Sequence, residues 1–267
     1  MAMTDAEAWH QFKIFQQTHE TRYAKKWYQL IRKQAKVVAD HLLQHGADKT
    51  VLMINLLIRE DDTSKLLRSL YRNVGSAWAQ IESGNIEQYT KSWNQPVRMK
   101  FFGFDSVWEG LLDIFFAAKG GEKITSITDT TRRWLISLIQ RGREQELGPE
   151  QIARSMTSDK AIPLARARVI SRTETVAAAN FGGVTAARQS KLKMNKRWVN
   201  ARDSRVRELH RDGGSGVGGE VVPLDQPFSN GLMHPGDPNG SAKQVIQCRC
   251  VASMRPVRDE NGMPVLN

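Results

Sequence analysis

The sequence changes character near residue 196, and this change constrains the fold more than any other feature. From Ala6 to Gln44 neither glycine nor proline interrupts the chain. By contrast, Asp212–Gly219 contains five glycines in eight residues, and four prolines lie between Val222 and Pro238. A helix interior loses about 1 kcal/mol for a glycine and about 3 kcal/mol for a proline relative to alanine. The sequence therefore predicts a mostly helical first part followed by a compact, loop-rich module.

Apolar residues recur at steps of three and four along the first part, which is typical of amphipathic helices. The predicted helices are Ala6–Gln44, one from Asp62 or Thr63 to Ile81, one from Thr128-Asp129, a short one opening at Pro149, and Leu164–Ser190 after Pro163. The predicted boundaries are Gly46, Gly84 with Pro96, Gly120-Gly121 and Gly148-Pro149. Val51–Ile58 fits either a strand or a helix. The small residues Gly182 and Gly183 favour a close approach of another helix.

Two segments of the loop-rich module have the pattern of strands, Arg197–Arg202 and Val245–Met254. The predicted fold class is therefore α+β, with a mainly helical N-terminal half and a small C-terminal module with a few short strands. The predicted division is a helical region over 1–120, a module over 125–258 and a tail over 259–267. The apolar stretch Phe101–Ala118 is too short and interrupted for a membrane span of roughly 20 residues. It is expected to be a loop with a buried helix, or a partner contact.

Positive charge is concentrated in one part of the chain. The net charge is +11, and residues 160–211 alone contain thirteen Lys or Arg against three Asp or Glu. Such clustering indicates a polyanionic partner, nucleic acid first. The alternative is a solvated basic face. The residues predicted to bind DNA are Arg166, Arg168, Lys191, Lys193, Lys196, Arg197, Arg202, Arg205, Arg207 and Arg211.

The two cysteines, Cys248 and Cys250, are separated by one residue. In an extended segment their side chains point to opposite faces, so we expect no disulfide between them and a reducing compartment. With His210 they form the candidate metal ligands, since zinc binds Cys sulfur and His nitrogen, usually with four ligands. His234 or Asp203 is the candidate fourth ligand. The alternative is that both cysteines are small buried residues beside a strand.

An enzymatic alternative is a metal-dependent nuclease built on Asp203, Glu208 and His210. Such enzymes need carboxylates for the ion and an acid or base for the leaving group, but both acids can instead pair with neighbouring arginines. The chain contains neither a G-x-S-x-G nucleophile motif nor a phosphate-binding P-loop. We therefore favour a non-enzymatic protein. Arg172, Glu174 and Asn180 are expected to make structural contacts, with Asn180 bridging a backbone group.

Several motifs occur together in a fixed order: SRTETVAAAN, KRWVNARDSRVRELHRDGG, VPLDQPF, MHPGDPNG and VIQCRC. In this combination, residues 125–255 resemble the phage Mu F-like minor head proteins, also called the phage head morphogenesis domain. Some relatives have C-x-x-C where this chain has Arg207 and His210. The resemblance thus implies a possible structural zinc at His210, Cys248 and Cys250, with one ligand fewer, and no required cofactor.

The resemblance also implies a role in the virion of a tailed bacteriophage. Members of the family are minor capsid proteins that associate with the portal vertex, contact packaged DNA and assist head assembly, DNA packaging or ejection. The implied partners are the portal protein, the major capsid or scaffold protein, and double-stranded DNA. The implied location is the interior of the phage head near the portal vertex, and the host cytoplasm during assembly. A host nucleic-acid-binding protein is a further alternative.

Overall fold

The computed structural model describes residues 3–90 and 104–267, with side chains from residue 107 onwards in the second range. The helices are α1 Asp5–Leu57, α2 Glu60–Leu70, α3 Ser76–Thr90, α4 Phe104–Phe115, α5 Gly121–Glu144, α6 Pro149–Ser158, α7 Ala161–Gln189 and α8 Ala242–Val245. The strands are β1 Met194–Val199, β2 Val221–Pro223 and β3 Val251–Pro256. Single turns of π-helix at Tyr71–Gly75 and Phe116–Gly120 and a 3₁₀ turn at Glu208–His210 complete the elements. The α+β prediction is confirmed.

Local sequence accounts for the helix starts. Thr4 and Glu7 form a reciprocal cap before α1, because the Thr4 amide donates to the Glu7 carboxylate at 2.7 Å and the Glu7 amide donates to Thr4 Oγ1 at 3.3 Å. Pro149 opens α6 as predicted, and the Gly148 amide donates to the Gln151 side chain at 2.9 Å. These contacts satisfy amide groups that have no partner within the helix.

Glycine stops the predicted helices less often than expected. Gly46 kinks α1 with a φ of 77°, but the chain is helical again directly afterwards, so most of Val51–Ile58 is helix. Gly84 lies inside α3. Gly120 and Gly121 join a π-helical turn to α5, so the predicted break there is wrong. Glycine is only weakly unfavourable in a helix, and burial of the neighbouring apolar residues outweighs that cost.

The apolar stretch around α4 is mainly core. Trp108, Leu112, Phe115 and Phe116 are buried, whereas Ile114 is 67% exposed. Some residues of the sequence predictions lie outside the part of the chain that the structure describes. They are Trp93, Pro96, Phe101, Phe102 and the side chain of Phe104. The described side chains from Val107 to Phe116 therefore mainly supply packing within the chain.

The chain divides into two compact units, each assembled from separate segments. One unit comprises residues 21–69 and 115–171. Its core combines the second part of α1 with α5 and α6, and includes Leu42, Ile54, Leu135, Ile139 and Met156. The predicted division near residue 120, which assigns separate functions to the two halves, stays a prediction.

The other unit comprises residues 1–20, 70–114 and 172–267 and contains the sheet. The strand order is β2-β1-β3 with antiparallel pairing throughout. Apolar side chains of the sheet pack with residues of α3 and α7 in one cluster. Its members are Ile86, Val184, Ala187, Leu192, Met194, Leu224, Ala252 and Met254.

Two glycines allow α7 to lie very close to the turn that precedes α3. A Cβ atom built on Gly182 would come within 2.1 Å of the Gly75 carbonyl oxygen, and one on Gly75 within 2.3 Å of the Trp108 ring. No side chain fits in either place without movement of the backbone or of a buried ring. The predicted close approach of a helix at Gly182 is confirmed.

Candidate metal centre and basic loop

His210, Cys248 and Cys250 form a buried cluster in the unit that contains the sheet. Their exposed fractions are 1%, 1% and 3%, and the three donor atoms lie within 4.8 Å of one another. His210 Nδ1 is 3.7 Å from each of the two sulfur atoms. About forty positions separate His210 from the cysteines in the sequence. The fold nevertheless brings together the three residues that the sequence analysis selected as metal ligands.

Both cysteines point to the same histidine because they precede β3 instead of lying in it. Gln247 has a left-handed backbone, with a φ of 57°, and the chain turns there before β3 begins at Val251. The Cys250 amide donates to Cys248 Sγ at 3.5 Å across this turn. The expectation that the two side chains point to opposite faces is wrong, since alternation applies only to an extended strand. Both thiols are free, as expected.

Helix α7 holds the cysteine segment in position through two polar side chains. Asn180 donates to the Cys250 carbonyl oxygen at 3.2 Å and accepts from the Ala252 amide at 2.7 Å. Thr173 Oγ1 accepts from the Gln247 amide at 3.0 Å. The predicted bridging role of Asn180 is confirmed. The role of Thr173 was not predicted, because a threonine within a helix gives no signal of a distant backbone partner.

Asn200 holds the histidine segment in a similar way. Its amide nitrogen donates to the His210 carbonyl oxygen at 2.7 Å and to the Asp212 carboxylate at 2.8 Å. Its side-chain oxygen accepts from the Arg202 amide at 2.8 Å. Gly218 is required beside it, since an added Cβ would come within 2.5 Å of Asn200 Nδ2. One glycine of the glycine-rich Asp212–Gly219 stretch is therefore required for packing.

The electrostatics of the cluster favour one thiolate. Hydrogen bonds from the Cys250 thiol and from His210 lower the pKa of Cys248 well below its usual value. The hydrogen bond with Cys248, together with burial, raises the pKa of Cys250. A thiolate is the form of cysteine that binds a metal, so Cys248 is prepared for a cation.

The donor set and its spacing fit zinc. Zinc with bonds of about 2.3 Å to sulfur and about 2.0 Å to nitrogen separates tetrahedral S and N ligands by about 3.6 Å, close to the 3.7 Å found at His210 Nδ1. His210 Nε2 is also buried without a hydrogen-bond partner among the described residues. The ring packs against Trp198 with centroids 4.9 Å apart, which leaves Nδ1 directed to the two sulfur atoms.

Neither candidate for a fourth ligand lies in the cluster. Asp203 is paired instead with Arg249 through two contacts of 2.6 Å, and this hydrogen bonding holds the pKa of Asp203 well below its usual value. His234 lies in another loop, where its Nδ1 is 3.1 Å from the Pro235 carbonyl oxygen. Within the described part of the chain, the cluster offers three donors.

The comparisons with known proteins agree with the order of motifs in this segment. Residues 130–253 match the family model described as phage Mu protein F like protein. This segment is similar to the phage Mu F-like proteins. It covers slightly less than half of the 267 residues and contains the whole Cys–His cluster. A search of curated proteins and a search of solved structures found no significant match.

The similarity to this family suggests a phage head morphogenesis protein, and the family itself is structural rather than enzymatic. The two acids of the nuclease alternative, Asp203 and Glu208, are not part of the cluster. Asp203 is engaged by Arg249, and Glu208 is exposed. No helix within the described ranges is long and apolar enough to cross a membrane.

The ten residues predicted to bind DNA have very different environments. The exposed ones are Arg168, Lys191, Lys193, Arg202, Arg205 and Arg211. Arg166, Arg197 and Arg207 are half-buried and hydrogen-bonded, to Thr130 and Thr131, to Asp5, and to the Ile246 carbonyl oxygen, respectively. Arg202 also pairs with Asp5 and Asp212. Arg166 and Arg168 belong to the helical unit, and the other eight belong to the unit with the sheet.

Lys196 must be removed from the predicted basic surface. It is fully buried, donates from Nζ to the Leu224 carbonyl oxygen at 2.9 Å, and lies 5.3 Å from the Phe228 ring centroid. Burial lowers its pKa to about 8. It shares the inward face of β1 with Met194 and Trp198, because alternate residues of a strand point the same way. Its charge therefore faces the protein interior.

Proposed function

We propose that this chain is a minor capsid protein of a tailed bacteriophage that associates with the portal vertex, binds packaged DNA without sequence preference, and assists head assembly and DNA packaging or ejection. The Mu F-like domain over residues 130–253 is the observation that carries the proposal. The exposed basic residues of that domain support DNA binding, since Lys and Arg contacts to phosphates give sequence-independent affinity.

DNA binding is tested by charge reversal at exposed positions. The test variant changes Lys191, Lys193, Arg205 and Arg211 to Glu. The control variant changes Arg22, Lys25, Lys49 and Arg154, which are also exposed and lie outside the sheet-containing unit. Both variants lose the same net charge. In a gel shift at low salt, we expect the test variant to lose DNA retention and the control to keep most of it.

Equal retention by the test variant and the wild type would contradict DNA binding through this domain. Equal loss in both variants would mean that net charge alone governs retention, and would contradict a defined surface. Binding by the wild type should also weaken steeply as salt rises, because counterions are released from the DNA.

Portal association is proposed for residues 1–120, where exposed apolar side chains support a contact. Leu52 and Leu56 of α1 are 81% and 66% exposed. We expect Leu52→Glu with Leu56→Glu to abolish co-purification with the portal protein of the same phage. The control is Val221→Glu with Leu266→Glu, which are 46% and 53% exposed in the C-terminal part. Portal binding that survives the first pair and is lost with the second would place the contact elsewhere.

We also propose that His210, Cys248 and Cys250 hold a structural zinc ion. When bound, zinc would cross-link the loop that carries His210 to the segment before β3, and the free energy of binding would become folding free energy. The burial of the three donors and the fit of their spacing to zinc support this proposal.

A further inference from the structure

The proposed metal site has three protein donors and faces a pocket. His210, Cys248 and Cys250 are the donors found together among the described residues. A small pocket, with room for about one water molecule, is lined by His210 and Cys250, two of the three donors. Arg205, Arg207, Gln247 and Arg249 are among its other lining residues. The place where a fourth ligand is missing is therefore beside a space that a small ligand can occupy.

The charge of the pocket selects the kind of ligand. Three arginines and no carboxylate line it. Asp203 pairs with two of these arginines, with Arg249 at 2.6 Å and with Arg205 at 3.3 Å. One carboxylate against three guanidinium groups leaves the pocket cationic. Arginine cannot lose its proton in proteins, so this charge is permanent. Two thiolates would neutralise the divalent ion, so the arginines of the pocket supply the charge that favours an anion over a neutral ligand.

The size of the pocket limits that anion. Space for about one water molecule accommodates a halide, or the coordinated atom of an end-on azide whose other two atoms extend toward the open side of the pocket, and leaves no room for a phosphodiester. The pocket would therefore bind a different ligand from the DNA-contacting surface proposed above.

We propose that the fourth position of this metal centre is an external site for a small monodentate anion, which enters through the pocket beside Arg207. The inference rests on the proposed metal site. It differs from a closed structural centre, in which four protein donors exclude external ligands. In the exchange, the anion replaces solvent at the metal, and no protein bond breaks.

Cobalt(II) substitution with azide as the probe tests the inference. Cobalt absorbs visible light in a way that depends on its ligands. In the cobalt-loaded full-length protein, we expect azide to shift the visible ligand-field bands with a saturable dependence on concentration. The metal content of the zinc-loaded protein is measured first by elemental analysis. If the protein binds no metal, the proposed centre itself fails; if it binds cobalt and azide leaves the bands unchanged, only the external site is overturned.

The Arg207→Cys variant supplies the structural control, with Arg207→Ser as its match. Residue 207 lines the pocket and lies three positions before His210. A thiolate there is expected to occupy the fourth position, raise the intensity of sulfur-to-cobalt charge transfer, and abolish the azide shift. The serine variant loses the same guanidinium without gaining a thiolate, so it is expected to keep the azide shift. Retention of the full azide shift by Arg207→Cys would overturn the assignment of the external ligand to this pocket.

Discussion

At the scale of single residues, the sequence predicted which side chains could bind a metal better than it predicted which side chains are buried. The rarity of cysteine and its C-x-C spacing indicated a shared site with His210, and the fold brings these donors within 4.8 Å. Lys196 illustrates the opposite case. Because Lys196 is charged and lies among other basic residues, we predicted that it is exposed. Strand alternation instead directs its side chain to the protein interior, where it donates to the Leu224 carbonyl oxygen. A side chain's face depends on the register of its strand, and the sequence placed that strand three residues too late.

Glu82 of α3 is a buried acid whose effect on stability can be measured. Burial raises the pKa of its carboxyl to about 7. The native state therefore keeps a proton between pH 4.5 and 7 that the unfolded state releases, so stability falls as pH rises through this window. We expect Glu82→Gln to remove up to about 3 kcal/mol of this pH dependence, as measured by urea unfolding at pH 5 and pH 8.

A matched control for that experiment is Glu87→Gln, a nearby and less buried position of the same helix. It should leave the difference between the two pH values close to that of the wild type. An equal pH dependence in Glu82→Gln and the wild type would contradict a raised pKa at Glu82.

At the scale of elements, helix positions were more predictable than helix ends. Apolar periodicity located α1 and α5, which bury a stripe of side chains, whereas α7 is buried at almost every position from 173 to 187. The break predicted at Gly120-Gly121 failed for a physical reason. A π-helical turn absorbs the local distortion there, and a Cβ on Gly120 would come within 2.2 Å of the Phe116 ring. Gly120 is therefore needed because an aromatic ring packs against it. A sequence pattern cannot distinguish a glycine of this kind from one that ends a helix.

Strand positions were displaced for a related reason. β1 begins at Met194 and ends at Val199, whereas alternation alone suggested Arg197–Arg202. β3 begins at Val251, after the helical turn α8 and the cysteine turn. The sheet is fixed by its pairing, with Trp198 opposite Ala252 and Val199 opposite Val251. Partners so far apart in sequence cannot be found from a window of a few residues.

At the scale of the whole molecule, the sequence predicted a basic protein with a helical part and a loop-rich module, but not how its segments combine. Each of the two units combines segments that are far apart in sequence: residues 1–20 and 70–114 belong with 172–267, and residues 21–69 belong with 115–171. The long helices α1 and α7 each contribute residues to both units. Nothing in local composition marks such an exchange, because a continuous helix has no boundary signal where its partners change.

The division into two units predicts which part of the chain is destabilised when the metal is removed. The proposed zinc ligands all belong to the unit with the sheet, and they link the loop at Glu208–His210 to the segment before β3. A ligand at about 1,000 times its Kd stabilises the native state by about 4 kcal/mol. We expect a chelator to accelerate amide hydrogen exchange in residues 198–217 and 244–252, whereas peptides from the α5–α6 core at 135–156 remain protected. In His210→Ala, the same two segments should exchange rapidly before chelator is added and respond little to it. Uniform acceleration along the chain, or none in these two segments, would contradict a zinc ion that stabilises this unit locally.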